Sequence, residues 1–399
     1  MAVETKKLNV PITKPTLGED EARAPMASIA SGWVTQGPKV KEFEERVAAY
    51  VGAKHGVATS SCTTGLHLAL HAIGVGPGDE VIVPSLTFIA SPNSVLYTGA
   101  DVVFCEVDRR TFNIDPNDAE RRITKRTKAI MPIDQIGLAC DIDAVNDVAT
   151  RHGLEVVEDA APAIGAPYTG PRASGASAGS ERVRRVGAFA RQVVFSFHPR
   201  KVITTGEGGM ITTSDDALAT RLRMLRQHAM SVSDVARHAA DRVIIEEYPE
   251  IGFNYRMNDI QASIGIVQIG RLDELLAARR KRADRYNAEL ALIRGLGIPY
   301  VPAYGAPHTY QSYMVTLTKD CPLEREELMT RLLRRGFATR RGIMASHLER
   351  TYTSRYGTVS LPVTEEVART TMLLPLYATM TEDEQSWVID SLREELGSG

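Results

Sequence analysis

The stretch FSFHPRKVITTGEGGMITT (Phe195–Thr213) is the most informative part of this chain. An apolar run, Val193–Phe197, predicts a buried strand, and Met210–Thr213 predicts a second short strand. Lys201 and a glycine-rich turn lie between them. A lysine that is shielded from water has a lowered pKa, which makes it a candidate nucleophilic amine for Schiff-base chemistry. The alternative is a solvated lysine in a surface turn, and this stretch alone leaves both open.

Strand and helix patterns alternate along the chain before this stretch. Strand patterns occur at Gly56–Thr59, Glu80–Pro84, Asp101–Asp108, Thr127–Ile133 and Leu154–Glu158. A helical pattern follows each of the first four, and this order predicts an α/β fold with a mostly parallel central sheet flanked by helices. Ligands bind at the carboxyl ends of the strands in such sheets, so we expect the turns after the strands to converge.

The chain is long enough for two domains. At 399 residues it exceeds the size at which a single core usually stops growing. A long helical pattern begins at Asn258 and continues to Leu290, and we place the boundary along it. The prediction is a large domain over residues 1–270, with an N-terminal arm, and a smaller C-terminal α+β domain over residues 271–399.

The composition excludes several classes of function. A net charge of -2 gives no overall basic field, so we expect no nucleic-acid partner. Four scattered cysteines form no metal-binding spacing, so we expect no metal and a reduced, cytoplasmic location. The uncharged stretch His55–Gly78 carries polar residues throughout, which favours a buried strand-turn-helix over a membrane span.

Two turns carry polar residues where a ligand is expected. Asp159 ends an apolar strand in EDAAPAIGA, where it is either a buried acid at the ligand edge or a helix cap. Thr63 and Thr64 lie in SSCTTG, between a strand and a helix. A helix N-terminus binds anions, so these threonines could hold a phosphate, although ordinary helix capping is the alternative.

Three further residues are candidates at the same edge. Ser196, five residues before Lys201, could reach the same phosphate. Phe88 follows the Glu80–Pro84 strand and either stacks on a ligand ring or belongs to the core. Asn254, in GFNYRMNDIQASIG, either caps the following helix or reaches a phosphate in a neighbouring subunit.

Taken together, these stretches resemble the DegT/DnrJ/StrS family of sugar aminotransferases, which have fold type I of the pyridoxal phosphate (PLP) enzymes. The resemblance covers nearly the whole chain, in a fixed order. Its segments are SGWVTQGPKVKEFEERVAAYVG, SSCTTGLHLAL, DEVIVPSLTFIAS, VVEDAAPAIGA, SFHPRKVITTGEGGMITT, GFNYRMNDIQASIG and LPLYATMTEDE.

The resemblance implies a role for each candidate. Lys201 matches the lysine that forms a Schiff base with PLP, and Asp159 matches the acid that bonds the pyridinium nitrogen. Phe88 matches the aromatic residue that stacks on the ring. Thr63, Thr64 and Ser196 match phosphate contacts, and Asn254 matches a contact from the second subunit of a homodimer. One position departs from the pattern: Pro162 stands where most members carry Gln or His for the ring hydroxyl.

The implied function is transfer of an amino group from an amino acid, glutamate or glutamine, to a keto-sugar that is linked to a nucleotide. Such reactions belong to amino-sugar and antibiotic biosynthesis. Lys201 favours transamination over the dehydratase branch of the family, in which His replaces the lysine. Amination of a keto-cyclitol or another small ketone is the alternative, and a non-catalytic PLP-binding regulator is a third interpretation.

Overall fold

The computed structural model describes residues 9–170, 184–232, 241, 243 and 245–397. Strands β1 to β11 are His55–Thr59, Glu80–Pro84, Asp101–Cys105, Thr127–Ile130, Glu155–Asp159, Gln192–Ser196, Gly209–Thr213, Leu296–Gly297, Tyr313–Leu317, Arg340–Arg341 and Thr371–Leu374. Helices α1 to α13 are Glu19–Ser31, Pro38–Val51, Cys62–Ala72, Ala90–Tyr97, Pro116–Arg121, Ile142–His152, Asp216–Leu225, Asp259–Gly270, Leu272–Leu290, Arg325–Arg334, Arg350–Tyr356, Pro362–Thr370 and Glu382–Glu395.

A seven-stranded sheet forms the centre of the molecule, in the order β1-β7-β6-β5-β4-β2-β3. Strand β7 is antiparallel to both of its neighbours, whereas the pairs from β6 across to β3 are parallel. All strands except β7 therefore run in one direction, and their carboxyl ends meet at one edge. The predicted α/β fold with a mostly parallel sheet is confirmed.

Both faces of this sheet are buried, which explains why its strands are continuous apolar runs. Successive residues of a strand point to opposite faces. Val193 and Phe195 accordingly pack with Phe43 of α2 in one core cluster. Val194, between them, packs with Leu66 of α3 in the cluster on the other face. Burial on two faces is typical of parallel sheets.

A second, four-stranded antiparallel sheet lies in the C-terminal part, in the order β10-β11-β9-β8. Its core includes Tyr286 of α9, Tyr313 of β9 and Val388 of α13. The first turns of α9 pack instead in the core of the large sheet, through residues such as Leu272. Helix α9 thus contributes to both cores, and the domain boundary at 270/271 stays a prediction.

The long helix expected from Asn258 to Leu290 is two helices, so that prediction is wrong in its continuity. Helix α8 ends at Gly270 and α9 begins at Leu272, with Arg271 between them at φ -102° and ψ 0°. Glycine has a low helix propensity, which makes the position after it a natural point for the break. The apolar periodicity runs through both helices, so it did not reveal the break.

The C-terminal part also reaches the ligand edge of the large sheet. The Thr87 N–H donates to the Met344 carbonyl at 3.1 Å. The Ser346 hydroxyl donates to the Thr87 carbonyl at 2.7 Å. These bonds fix the turn that follows β2, where Phe88 lies.

The sequence at residues 170–185 is rich in Gly, Ser and Arg, and most of this stretch, residues 171–183, lies outside the described residues. A search of the described helices finds none with the length and apolar character that a bilayer span requires. The four cysteines form no disulfide.

Gly209 is expected to tolerate no side chain. A Cβ atom there would lie 2.6 Å from the carbonyl carbon and oxygen of Ser61 and 2.7 Å from the Cys62 nitrogen. We predict that Gly209→Ala lowers the free energy of unfolding by about 1–3 kcal/mol, because such overpacking forces the backbone to shift. Urea denaturation measures this change. Gly76→Ala is the control, since a Cβ there meets nothing within 4 Å; equal stability of the two variants would contradict the prediction.

Candidate active site

Lys201 lies in the turn between β6 and β7, with its backbone N–H donating to the His198 carbonyl at 2.8 Å. The Phe197 carbonyl accepts from the Thr204 hydroxyl at 2.7 Å, which closes the turn over the end of β6. The lysine side chain is half-buried. Burial lowers the pKa of its amine, whereas the charges of Cys62 and Asp159 act to raise it. A desolvated amine beside a carboxylate does not match a solvated turn lysine.

Asp159 ends β5 and is 4% exposed. The Ser91 hydroxyl donates to its Oδ2 at 2.7 Å, and the Ala161 N–H donates to its Oδ1 at 3.0 Å. Burial raises the pKa of this carboxyl, while both hydrogen bonds and the charge of Lys201 favour its ionised form. The residues that follow form turns rather than a helix, so the alternative of a helix cap is not what the structure shows.

The two threonines of SSCTTG have different environments. Ser61 is the N-cap of α3 and accepts from the Thr64 N–H at 3.2 Å. The Thr64 hydroxyl in turn accepts from the Ser61 N–H at 3.1 Å, so Thr64 serves the capping alternative. Thr63 makes no side-chain hydrogen bond with any residue that the structure describes. Its hydroxyl is therefore the one of the two that is available to a ligand at this helix N-terminus.

Ser196 and Phe88 lie at the same edge of the sheet. Ser196 ends β6, where it pairs with Gly209, and is 6% exposed. Phe88 follows β2 and is 66% exposed, so the alternative that it belongs to the core is wrong. A large apolar ring left in the open at a ligand edge suits stacking on a planar ligand.

Asn254 is exposed, in a segment bridged to Gln227. The neighbouring Tyr255 carbonyl accepts from the Ser60 N–H at 2.8 Å, which places this segment beside the SSCTTG turn. Asn254 does not cap the next helix, because Asn258 does so by accepting from the Gln261 N–H at 2.9 Å. The predicted contact of Asn254 with a partner subunit stays a prediction.

Two residues at the site were missed from the sequence. Ser91 holds Asp159 and also lies 2.9 Å from the Thr87 hydroxyl, four residues earlier. Cys62 lies close enough to Asp159 and Lys201 for both charges to act on its thiol, whose pKa is raised chiefly by burial. The spacing of Thr87 and Ser91 was the only available signal, and it is common at helix starts.

The donor set fits PLP. Lys201 offers an amine whose charged form is disfavoured by burial, and Asp159 offers a buried carboxylate for a ring N–H. The N-terminus of α3 with the Thr63 hydroxyl can receive a phosphate. The exposed face of Phe88 can receive the ring. Pro162 supplies no hydrogen-bond donor, as the sequence indicated.

The sequence profile of the DegT/DnrJ/EryC1/StrS aminotransferase family matches residues 15–393. The chain belongs to this family. It is an aminotransferase, and the family resemblance expected from the sequence motifs is confirmed. In the three relatives described next, the similarity covers nearly the whole length of both chains.

Three relatives illustrate that similarity. The spore coat polysaccharide biosynthesis protein SpsC of Bacillus subtilis (strain 168) is 36% identical over 396 residues, 98% of each chain. The aminotransferase TlmJ from Streptoalloteichus hindustanus is 33% identical, with a TM-score of 0.86 over 98% of this chain and 99% of that one. Spr1654 from Streptococcus pneumoniae, solved in a PLP form, is 26% identical, with a TM-score of 0.87 over 98% and 99%. PLP is thereby confirmed as the cofactor of this aminotransferase family.

Ser91 is expected to control cofactor binding through Asp159. Ser91→Ala removes one hydrogen bond to the carboxylate, an interaction that contributes about 1.5–3 kcal/mol when the acceptor is charged. We predict that the pKa of Asp159 rises further and that PLP binds about tenfold or more weakly, measured by absorbance titration of the apoprotein. Thr98→Val, just beyond the other end of α4, is the control. Unchanged affinity in Ser91→Ala would show that Asp159 does not depend on this bond.

Proposed function

We propose that this aminotransferase moves an amino group from an amino acid, glutamate or glutamine, to a nucleotide-linked keto-sugar in amino-sugar or natural-product biosynthesis. The observation that carries the proposal is the half-buried Lys201, whose amine interacts electrostatically with the buried Asp159 carboxylate, at the edge where the strands end. The similarity to SpsC, a polysaccharide biosynthesis protein, supports a sugar acceptor.

Bound PLP supplies an electron-accepting ring that stabilises negative charge at the carbon losing its proton. Asp159 would hold a proton on the ring nitrogen, and its two hydrogen bonds favour the ionised form that this role requires. Thr63, Ser196 and the N–H groups at the start of α3 would hold the phosphate. Phe88 would cover one face of the ring and exclude water from it.

Lys201 has two tasks, both of which need a neutral amine. It holds the cofactor covalently between turnovers, and it moves the proton removed from the donor's α-carbon. Burial lowers the pKa of Lys201, which makes the neutral amine available nearer to neutral pH. The charge of Asp159 partly offsets this effect, so burial and Asp159 together determine the pKa of the Lys201 amine.

Two arginines at the same edge support an anionic substrate. Partial burial and the nearby charge of Arg340 lower the pKa of Arg200, the residue before Lys201. Neither arginine makes a salt bridge within the part of the chain that the structure describes. Two neighbouring positive charges with no salt-bridge partner among the described residues suit a phosphate or carboxylate on the substrate.

The remaining features of the proposal concern assembly and location. We propose a cytoplasmic homodimer in which Asn254 contacts the phosphate in the partner's site. The exposure of Asn254 supports this role.

A panel of acceptors tests the proposed function. With glutamate or glutamine as donor, we predict amination of nucleotide-linked keto-sugars at rates above those of free keto-sugars and keto-cyclitols, measured by mass spectrometry of the products. Faster amination of a keto-cyclitol would show that a cyclitol, and not a nucleotide-linked sugar, is the acceptor. A protein that binds PLP but transfers no amino group from any amino acid would contradict the proposal.

Arg340→Gln and Arg341→Gln form a matched pair for the same assay. Arg340 lies near Arg200, whereas the adjacent Arg341 pairs with Glu349 at 3.4 Å. Arg340→Gln is expected to raise the KM of the nucleotide-linked acceptor about tenfold or more, because a charge-assisted hydrogen bond is lost. Arg341→Gln is expected to keep the wild-type KM, and equal effects of both would contradict a specific anion contact.

A further inference from the structure

Two buried carboxyl groups, those of Asp134 and Glu158, face each other next to Asp159. Asp134 is 0% exposed and Glu158 is 1% exposed. One carboxylate oxygen from each and the sulfur of Cys140 all lie within 4.8 Å of one another. Because successive strand residues point to opposite faces, Glu158 projects from β5 on the face opposite to Asp159.

The hydrogen bonds around this pair leave two oxygen atoms unpaired. The Cys140 N–H donates to Asp134 Oδ1 at 2.8 Å. Asp134 Oδ2 and Glu158 Oε2 are buried with no hydrogen-bond partner among the described residues. No salt bridge joins either carboxyl to a Lys, Arg or His in the described part of the chain.

Two ionised carboxylates in this position would have no salt-bridge partner among the described residues. Burial raises the pKa of both groups. Asp134 raises the pKa of Glu158 further, whereas hydrogen bonding with Glu158 lowers the pKa of Asp134. The charged group of Asp159 raises the pKa of Asp134 further, while hydrogen bonding to Cys140 lowers it. Asp141 adds negative charge beside Cys140. Facing carboxyls of this kind retain a proton, because a bare buried charge is strongly unfavourable.

We propose that Glu158 is protonated at neutral pH and donates its proton in a hydrogen bond to Asp134, so that the pair carries one negative charge behind Asp159. This assignment satisfies both orphaned oxygens at once. Asp134 is the anion, because it alone of the two accepts the Cys140 N–H. Glu158 is then a positioning residue, which acts on the cofactor site through its hydrogen bond to the charged Asp134 near Asp159.

The role of the pair rests on the proposed function of Asp159 at the ring nitrogen. If Glu158 were ionised as well as Asp134, the added negative charge would favour protonation of Asp159 and weaken its hydrogen bond to the ring N–H. The proton on Glu158 prevents that charge from forming. Because the pair carries one negative charge instead of two, Asp159 can remain ionised, as its role at the ring nitrogen requires.

Infrared difference spectroscopy tests the protonation state without involving the cofactor. In D₂O at neutral pH, wild type minus Glu158→Gln is expected to show the carbonyl stretch of a protonated carboxylic acid, and Asp134→Asn is expected to shift that band. Absence of the band would overturn the proposal even if the protein proves to be an active aminotransferase. Metal analysis of the purified protein is the second arm, and a bound divalent ion that Cys140→Ser loses would overturn it equally.

A pH titration of the visible absorption band of the PLP-loaded protein tests which member of the pair carries the charge. The quantity compared between variants is the pH midpoint of the spectral transition. Asp134→Asn removes the negative charge, so the midpoint of the spectral transition is expected to move to lower pH, because a nearby cation is less stabilised. Glu158→Gln replaces a neutral group by a neutral amide, so its midpoint is expected to stay at the wild-type pH. The reverse pattern would identify Glu158 as the anion and overturn the assignment.

Discussion

The desolvation of the Lys201 amine beside the Asp159 carboxylate is the interaction on which the rest of the site depends. A lysine in water is charged at neutral pH and a poor nucleophile. Burial shifts the balance toward the neutral amine, while the carboxylate opposes the shift. Burial must therefore be sufficient to lower the pKa of the Lys201 amine, and the nearby negative charge limits how far this pKa falls.

The fold meets this need by directing β5 and β6 side by side to one edge. Asp159 pairs with Val194 across the two strands, and the turn that carries Lys201 begins just beyond the end of β6. The reversed strand β7 returns through Gly209, which fits against the backbone of Ser61 and leaves no room for a Cβ atom. The backbone positions of Lys201, Asp159 and the start of α3 are thus fixed by the packing of strands and turns.

The sequence predicted the central sheet because its strands are buried on both faces and read as continuous apolar runs. Its motifs, occurring together and in order, also identified the family, whereas the cofactor contacts of the individual residues stay predictions. It could not separate Thr63 from Thr64, because which hydroxyl caps the helix depends on three-dimensional geometry. The exposure of Phe88 was equally hidden, since an apolar residue after a strand is usually buried.

Contacts between distant segments explain the other omissions. Arg200 and Arg340 are far apart in sequence, and only the packing of the C-terminal part against the turn after β2 brings Arg340 to the ligand edge. Asp134 and Glu158 belong to neighbouring strand ends, yet nothing in their local patterns indicates that their carboxyls face each other. The break at Arg271 was missed because the apolar period continues across it.

The most direct test of the account is to locate the amine that holds the cofactor. The protein is loaded with PLP, reduced with borohydride, digested, and analysed by peptide mass spectrometry. The account predicts a single pyridoxyl group on Lys201 and none in Lys201→Arg, which keeps the positive charge. A pyridoxyl group on another lysine, or no adduct in a protein that is correctly folded, would contradict it.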